Sequence, residues 1–201
     1  MRLPDAWTER LPFLEVLEED WEPVSRAVLI IACAFYAIFL FQLAQGHGLP
    51  PLMDLVFIPI HEGGHALFGF FGHTLMIAGG TILQLSVPLM LAAYFLFRRQ
   101  IQGTAFCTFF FFEQLLPTAT YMADARAREL PLLTIGDPEL AEHDWATMFG
   151  WFGVLEHDTQ IAAVVRFIGW TGMLATVIWM VYRSLSSQSH RAENSSPASG
   201  R

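Results

Sequence analysis

The chain has 201 residues, of which 54% are hydrophobic and only 15% charged, with a mean hydropathy of +0.42 and a formal net charge of −8. Its apolar residues come in long runs, which excludes an ordinary soluble domain, and the charge excludes a basic nucleic-acid surface. The sequence therefore predicts an all-α polytopic membrane protein whose partner is the lipid bilayer, with no nucleic acid.

In chain order, an acidic N-terminal segment comes first, over 1–26, with Glu9, Glu15, Glu18, Glu19, Asp20 and Glu22. A bilayer core needs about 20 mostly apolar helical residues. Runs near Ala27–Ala44, Leu52–Phe71, Gly79–Phe97, Thr104–Met122 and Ile161–Tyr182 give about five transmembrane helices within one domain over 27–183. The first run follows acidic residues and precedes no small-residue cleavage site, so it reads as a retained helix rather than a signal peptide. The stretch 123–160 reads as an extramembrane loop with a short amphipathic helix, and 184–201, rich in Ser, Asn, Pro and Gly, as a disordered tail. Cys33 and Cys107 lie in separate apolar runs and read as small buried hydrophobes.

All eleven cationic residues are arginines. Arg98 and Arg99 close the third run and Arg183 the fifth, which places both ends on the cytoplasmic side. The expected topology is N-terminus outward and C-terminus cytoplasmic, in a bacterial inner membrane. Arg126 and Arg128, on the outward loop, pull the other way.

The second run holds "IPIHEGGHALFG". Polar groups are costly in hydrocarbon, so an intramembrane ionisable residue is by default a functional one. On a helix His61 and His65 stack on one face a turn apart, a separation that one zinc ion can bridge, and Glu62 is offset by one position. This is the HExxH arrangement of zinc hydrolases, with Glu62 as general base. The bland alternative is a pair of histidines bonded to neighbouring helices, with Glu62 packed against Gln84.

With its apolar flanks and small residues, "FIPIHEGGHALFG" resembles the motif helix of the site-2 protease class of intramembrane zinc metalloproteases. In that class a third ligand comes from an aspartate on a later helix, after an N-x-x-P stretch. "EQLLPTATYMADAR", from Glu113 to Arg126, is the counterpart: Gln114 stands at the asparagine position, then Pro117, then Asp124. Asp124 lies two residues farther from the proline than in the family, and Ala125 stands where the family has glycine. The resemblance implies Asp124 as third ligand and an intramembrane protease as the activity.

The triplet Glu-His-Asp occurs twice, at Glu142–Asp144 and Glu156–Asp158. Asp144 and Asp158 read as helix N-caps. His143 and His157 fall on the same outward side as His65 and Asp124, and His143 is the second candidate for the third ligand. Glu113 reads as an acceptor for an imidazole N–H, an alternative ligand or a protonated packing residue, and His157 as a further candidate ligand. Gln84 is a donor to a developing oxyanion or a bridge between helices, and Arg166 snorkels or pairs with Asp124, Asp158 or Glu113. The function that follows is a zinc metallohydrolase acting on a membrane peptide. The alternatives are a zinc hydrolase of a lipid amide or ester and a metal site that is structural or transporting.

Overall fold

The computed structural model describes residues 21–46, 50–130 and 142–195. Most of the acidic N-terminal segment and the final residues 196–201 lie outside the described residues, as does His47. Every described element is helical: α1 (Arg26–Ala44), α2 (Pro50–Gly69), α3 (His73–Phe97), α4 (Ile101–Glu113), α5 (Leu115–Ala123), α6 (Asp144–Phe152), a 3-10 turn (Leu155–His157) and α7 (Asp158–Ser195). Three stretches are long and apolar enough to cross a membrane, Arg26–Ala44, His73–Phe97 and Leu155–Gln188. The other two runs differ for physical reasons. The polar triplet dilutes α2, and the run near Thr104–Met122 is broken in two at Gln114.

Each boundary has a local cause. Ser25 caps α1, its side chain accepting from Val28 N at 3.3 Å, and α1 ends as the chain turns through Gly46 at φ +71°. The turn between α2 and α3 passes Gly72 at φ +107°, a conformation that favours glycine. Residues 73–80, at the start of α3, are helical and offer no extended edge for a peptide. The break at Gln114 follows from Pro117, which lacks the N–H that would bond the carbonyl of Glu113. Thr118 closes the gap from the next turn, with its N and its Oγ1 both donating to the Gln114 carbonyl at 3.3 and 2.8 Å.

The helix faces are inverted relative to a soluble protein. Ile30, Ile31, Ile38 and Phe41 on α1 and Val164, Phe167 and Ile178 on α7 are exposed, as hydrocarbon-facing side chains would be. One core joins α1, α4 and α7, where Phe109 meets Tyr36 at 4.7 Å and Phe39 at 5.5 Å between ring centroids. A smaller one packs Ala119 and Met122 of α5 against Ala146 and Phe149 of α6 and Ala162 of α7. Helix α2 packs chiefly on α3 and so stands at the edge of the bundle.

The disordered tail expected from Ser184 is corrected, because α7 continues to Ser195. The segment before α1 holds it there. Trp21 lies edge-on to Trp179 at 5.3 Å with the Arg183 guanidinium 5.3 Å from its ring, and Gln188 Nε2 donates to the Val24 carbonyl at 2.8 Å. At the other end of α7, Asp158 is buried and bound by Arg126, whose Nε donates to Oδ2 at 2.9 Å and whose Nη2 lies 2.7 Å from Oδ1. This two-point contact ties the chain after α5 to the start of α7. Removing the cation strands a buried carboxylate. Arg126→Met should therefore lower the thermal midpoint in detergent by several degrees. Adding Asp158→Asn should restore part of the loss, and a double-mutant cycle by scanning fluorimetry measures the coupling.

Candidate metal centre

The i, i+4 spacing places His61 and His65 on the face of α2 that meets α3, with ring centroids 4.8 Å apart. Their approach depends on glycine. A Cβ on Gly64 would run into the Gly79 carbonyl, and one on Gly79 would lie 2.6 Å from the Gly64 oxygen. A Cβ on Gly80 would lie 2.6 Å from Nε2 of both His61 and His65. Gly80 thus keeps open the space onto which both nitrogens converge.

A carboxylate closes the group from α6. Asp144 Oδ2 lies 3.3 Å from His61 Nε2 and 3.4 Å from His65 Nε2, and the three ligand atoms lie within 4.8 Å of one another. Metal–ligand bonds of about 2.0–2.1 Å in a tetrahedron give edges of roughly 3.3–3.4 Å, the histidine–carboxylate separation seen here. The opposite ring nitrogens are anchored, His61 Nδ1 donating to Gln84 Oε1 at 2.8 Å and His65 Nδ1 to the Met76 carbonyl at 2.7 Å. That leaves a lone pair on each Nε2, the form in which an imidazole binds a metal. Burial raises the Asp144 carboxyl pKa, but the neighbouring His61 and His65 outweigh it and hold the group below its ordinary value. The donor set fits a divalent metal ion such as zinc.

Asp144 is fixed by neighbours that the sequence reading had cast as ligands. The cap of α6 is His143 and not Asp144: His143 Nδ1 accepts from Ala146 N at 3.2 Å. Its Nε2 faces Asp124 Oδ2 at 3.4 Å. Burial pushes the His143 imidazole down despite that carboxylate. Asp124 in turn accepts from Glu129 N at 2.9 Å and Leu130 N at 3.1 Å. Asp124 and His143 thus brace each other and the turn after α5, and neither joins the ligand group. Tyr121, marked by no motif, lies against His143 with ring centroids 4.2 Å apart and accepts from Asp144 N through its hydroxyl at 3.2 Å.

The remaining candidates are separated. Glu62 is half-buried and close enough to His65 and Tyr121 to act on both electrostatically. Gln84 is committed at both ends of its amide, Nε2 donating to Gln114 Oε1 at 2.6 Å, so it is a bridge between helices and not an oxyanion donor. Buried Glu113 stands behind it, accepting from Gln114 Nε2 at 2.7 Å, and does not reach the ligand group. His157 is exposed at the 3-10 turn, outside the group. Arg166 donates to Thr120 Oγ1 at 3.3 Å, because Asp158 is taken by Arg126 and Asp124 by backbone N–H groups. His73 faces Glu142 at 3.7 Å, both well exposed.

Zinc titration of the purified protein should give one tight site. Losing a ligand weakens such sites by orders of magnitude, so His65→Ala and Asp144→Ala should each empty it. Gly80→Val should do the same by filling the cradle. Asp124→Asn should retain zinc with a lower thermal midpoint. Comparison of the chain with protein-family profiles, with curated proteins and with solved structures gives no match.

Proposed function

We propose that this chain is an integral-membrane zinc metallohydrolase that cleaves a membrane-borne substrate, with His61, His65 and Asp144 holding the metal and Glu62 acting as general base. One observation carries the reading: two anchored imidazoles turn their free nitrogens and a carboxylate onto one open point, while Glu62 is left beside them. Zinc, when bound, supplies a Lewis acid and lowers the pKa of a coordinated water toward about 7. Glu62, half-buried beside the group, would take a proton from the attacking water and deliver it to the leaving group. Tyr121 already accepts from Asp144 N through its oxygen, which leaves its own O–H to be donated to negative charge developing on the substrate. A structural zinc site fills all four positions with protein, whereas among the described residues three ligands gather here.

The site's placement favours a substrate that arrives sideways. Helix α2 stands at the bundle edge with Leu55, Val56 and Leu67 exposed, so in a bilayer its outer face meets lipid directly. In this reading the chain crosses five times, with α2 and the bent α4–α5 pair as the second and fourth crossings, the N-terminus outward and the C-terminus cytoplasmic, in a bacterial inner membrane. A membrane peptide is the substrate that the motif resemblance implies. A second substrate class is favoured by one specific observation: residues 73–80 are helical, which removes the extended edge on which a peptide strand would pair and suits a lipid amide or ester instead.

Glu62→Gln keeps the volume and removes the base. It should bind zinc as the wild type does while turnover falls by about 10²- to 10⁴-fold. The assay compares wild type and variant in proteoliposomes against membrane peptides and against lipid amides and esters. Loss of zinc in the variant would make Glu62 a ligand, and zinc binding without turnover of any class would return the site to a structural or transport role.

A further inference from the structure

Gln84, Gln114 and Glu113 are all buried and form one continuous chain of hydrogen bonds that ends on His61. Its direction is not arbitrary. Glu113 Oε2 accepts from the Gln114 NH₂ at 2.7 Å, which fixes that amide with its nitrogen toward Glu113. Gln114 then presents its carbonyl oxygen to the Gln84 NH₂ at 2.6 Å, and Gln84 its own to His61 Nδ1 at 2.8 Å. Reversing Gln114 would set oxygen against oxygen at Glu113, and reversing Gln84 alone would set its oxygen against that of Gln114. Each bond also polarises the next, so the pull of the carboxylate is felt along the chain.

The pull has an opponent. Asp144 Oδ2, 3.3 Å from His61 Nε2, is itself an acceptor and favours the tautomer with the proton on Nε2, the form that cannot bind a metal. His65 is not exposed to this contest in the same way, because the Met76 carbonyl is fixed in the backbone of α3 and can only accept. Only His61 has a reversible amide as its anchor.

We propose that Glu113 is a positioning residue that sets the tautomer of His61 through Gln114 and Gln84, keeping the proton on Nδ1 and the Nε2 lone pair ready for a metal ion. The proposal rests on His61 being a metal ligand, and the metal-free protein tests it separately. With Glu113→Leu the chain loses the group that orients it, both amides become free to reverse, and the proton moves toward Nε2 and Asp144.

The test is ¹⁵N NMR of histidine-labelled, metal-free protein in detergent at pH 8, together with zinc affinity by chelator competition. Wild type should show His61 protonated on Nδ1. Glu113→Leu should shift the His61 resonances toward the Nε2-protonated form, leave those of His65 unchanged, and weaken zinc by about 10- to 100-fold. Gln114→Met, which cuts the chain without touching the carboxylate, should give the same shift. Adding Gln84→Glu to Glu113→Leu places an acceptor directly on His61 Nδ1 and should restore both tautomer and affinity. An unchanged His61 tautomer in Glu113→Leu and Gln114→Met overturns the proposal, as does an affinity loss that Gln84→Glu fails to rescue. If no variant and no wild type binds zinc while the tautomer still shifts, the relay stands and the metal reading falls.

Discussion

The distance between α2 and α3 governs everything at the candidate centre. Two helices carrying ordinary side chains sit about 8–10 Å apart, and at that spacing the His61 and His65 rings would have room to adopt several rotamers. Gly64 on one helix and Gly79 on the other remove the intervening carbon atoms, and the backbones come into contact. Gly80, next along, is what the two rings then face. The same approach brings Met76 and Gln84 of α3 within hydrogen-bonding distance of the two Nδ1 atoms. Three glycines therefore replace what larger sites achieve with more chain: a rigid floor, two fixed ring orientations and a small open volume.

Prolines add to this in a regular way. Pro88 stands four residues after Gln84 and Pro117 four after Glu113, so each removes the N–H that would have bonded the carbonyl of a residue in the buried amide chain. At Pro117 the helix breaks outright and Gln114 becomes the hinge residue between α4 and α5. A straight helix would carry Gln114 and Tyr121 on a fixed spacing along one axis. The break frees α5 to follow α7, which places Tyr121 beside α6 while Gln114 stays against Gln84.

Much of the architecture was legible because hydrophobic run length is a local property. The span of α1 follows from the apolar run Ala27–Ala44, the C-terminus of α3 from Arg98–Arg99, and the short helix after residue 143 from an amphipathic run. The HExxH pair was legible for the same reason, since four-residue spacing on a helix fixes a face. The third member of the group was not. Asp144 lies 83 positions from His61, and an aspartate opening a helix satisfies the local rule for a cap so well that nothing local points elsewhere. The cap is instead supplied by a histidine, an uncommon choice that only the bond from Ala146 N reveals. Gln114 and Pro117 sat where the motif resemblance placed them, but that register assigns the ligand role to Asp124, whose oxygens are occupied by Glu129 N and Leu130 N. The tail failed for a different reason: its serine-rich composition reads as solvated, yet Ser184 is fully buried and Gln188 reaches back to Val24.

Because Asp144 sits at the head of α6, the order in which the chain is made and inserted bears on when the centre can exist. The two histidines lie on an early helix, and the carboxylate that completes the group belongs to a segment synthesised long after. Until α5 has bent and α6 has docked through Tyr121, His143 and Asp124, a metal ion meets only a two-nitrogen half-site, which holds it weakly. In the proposed reading, metal capture falls at the end of biogenesis, and a chain stalled before residue 144 carries the two histidines without the carboxylate that closes the group.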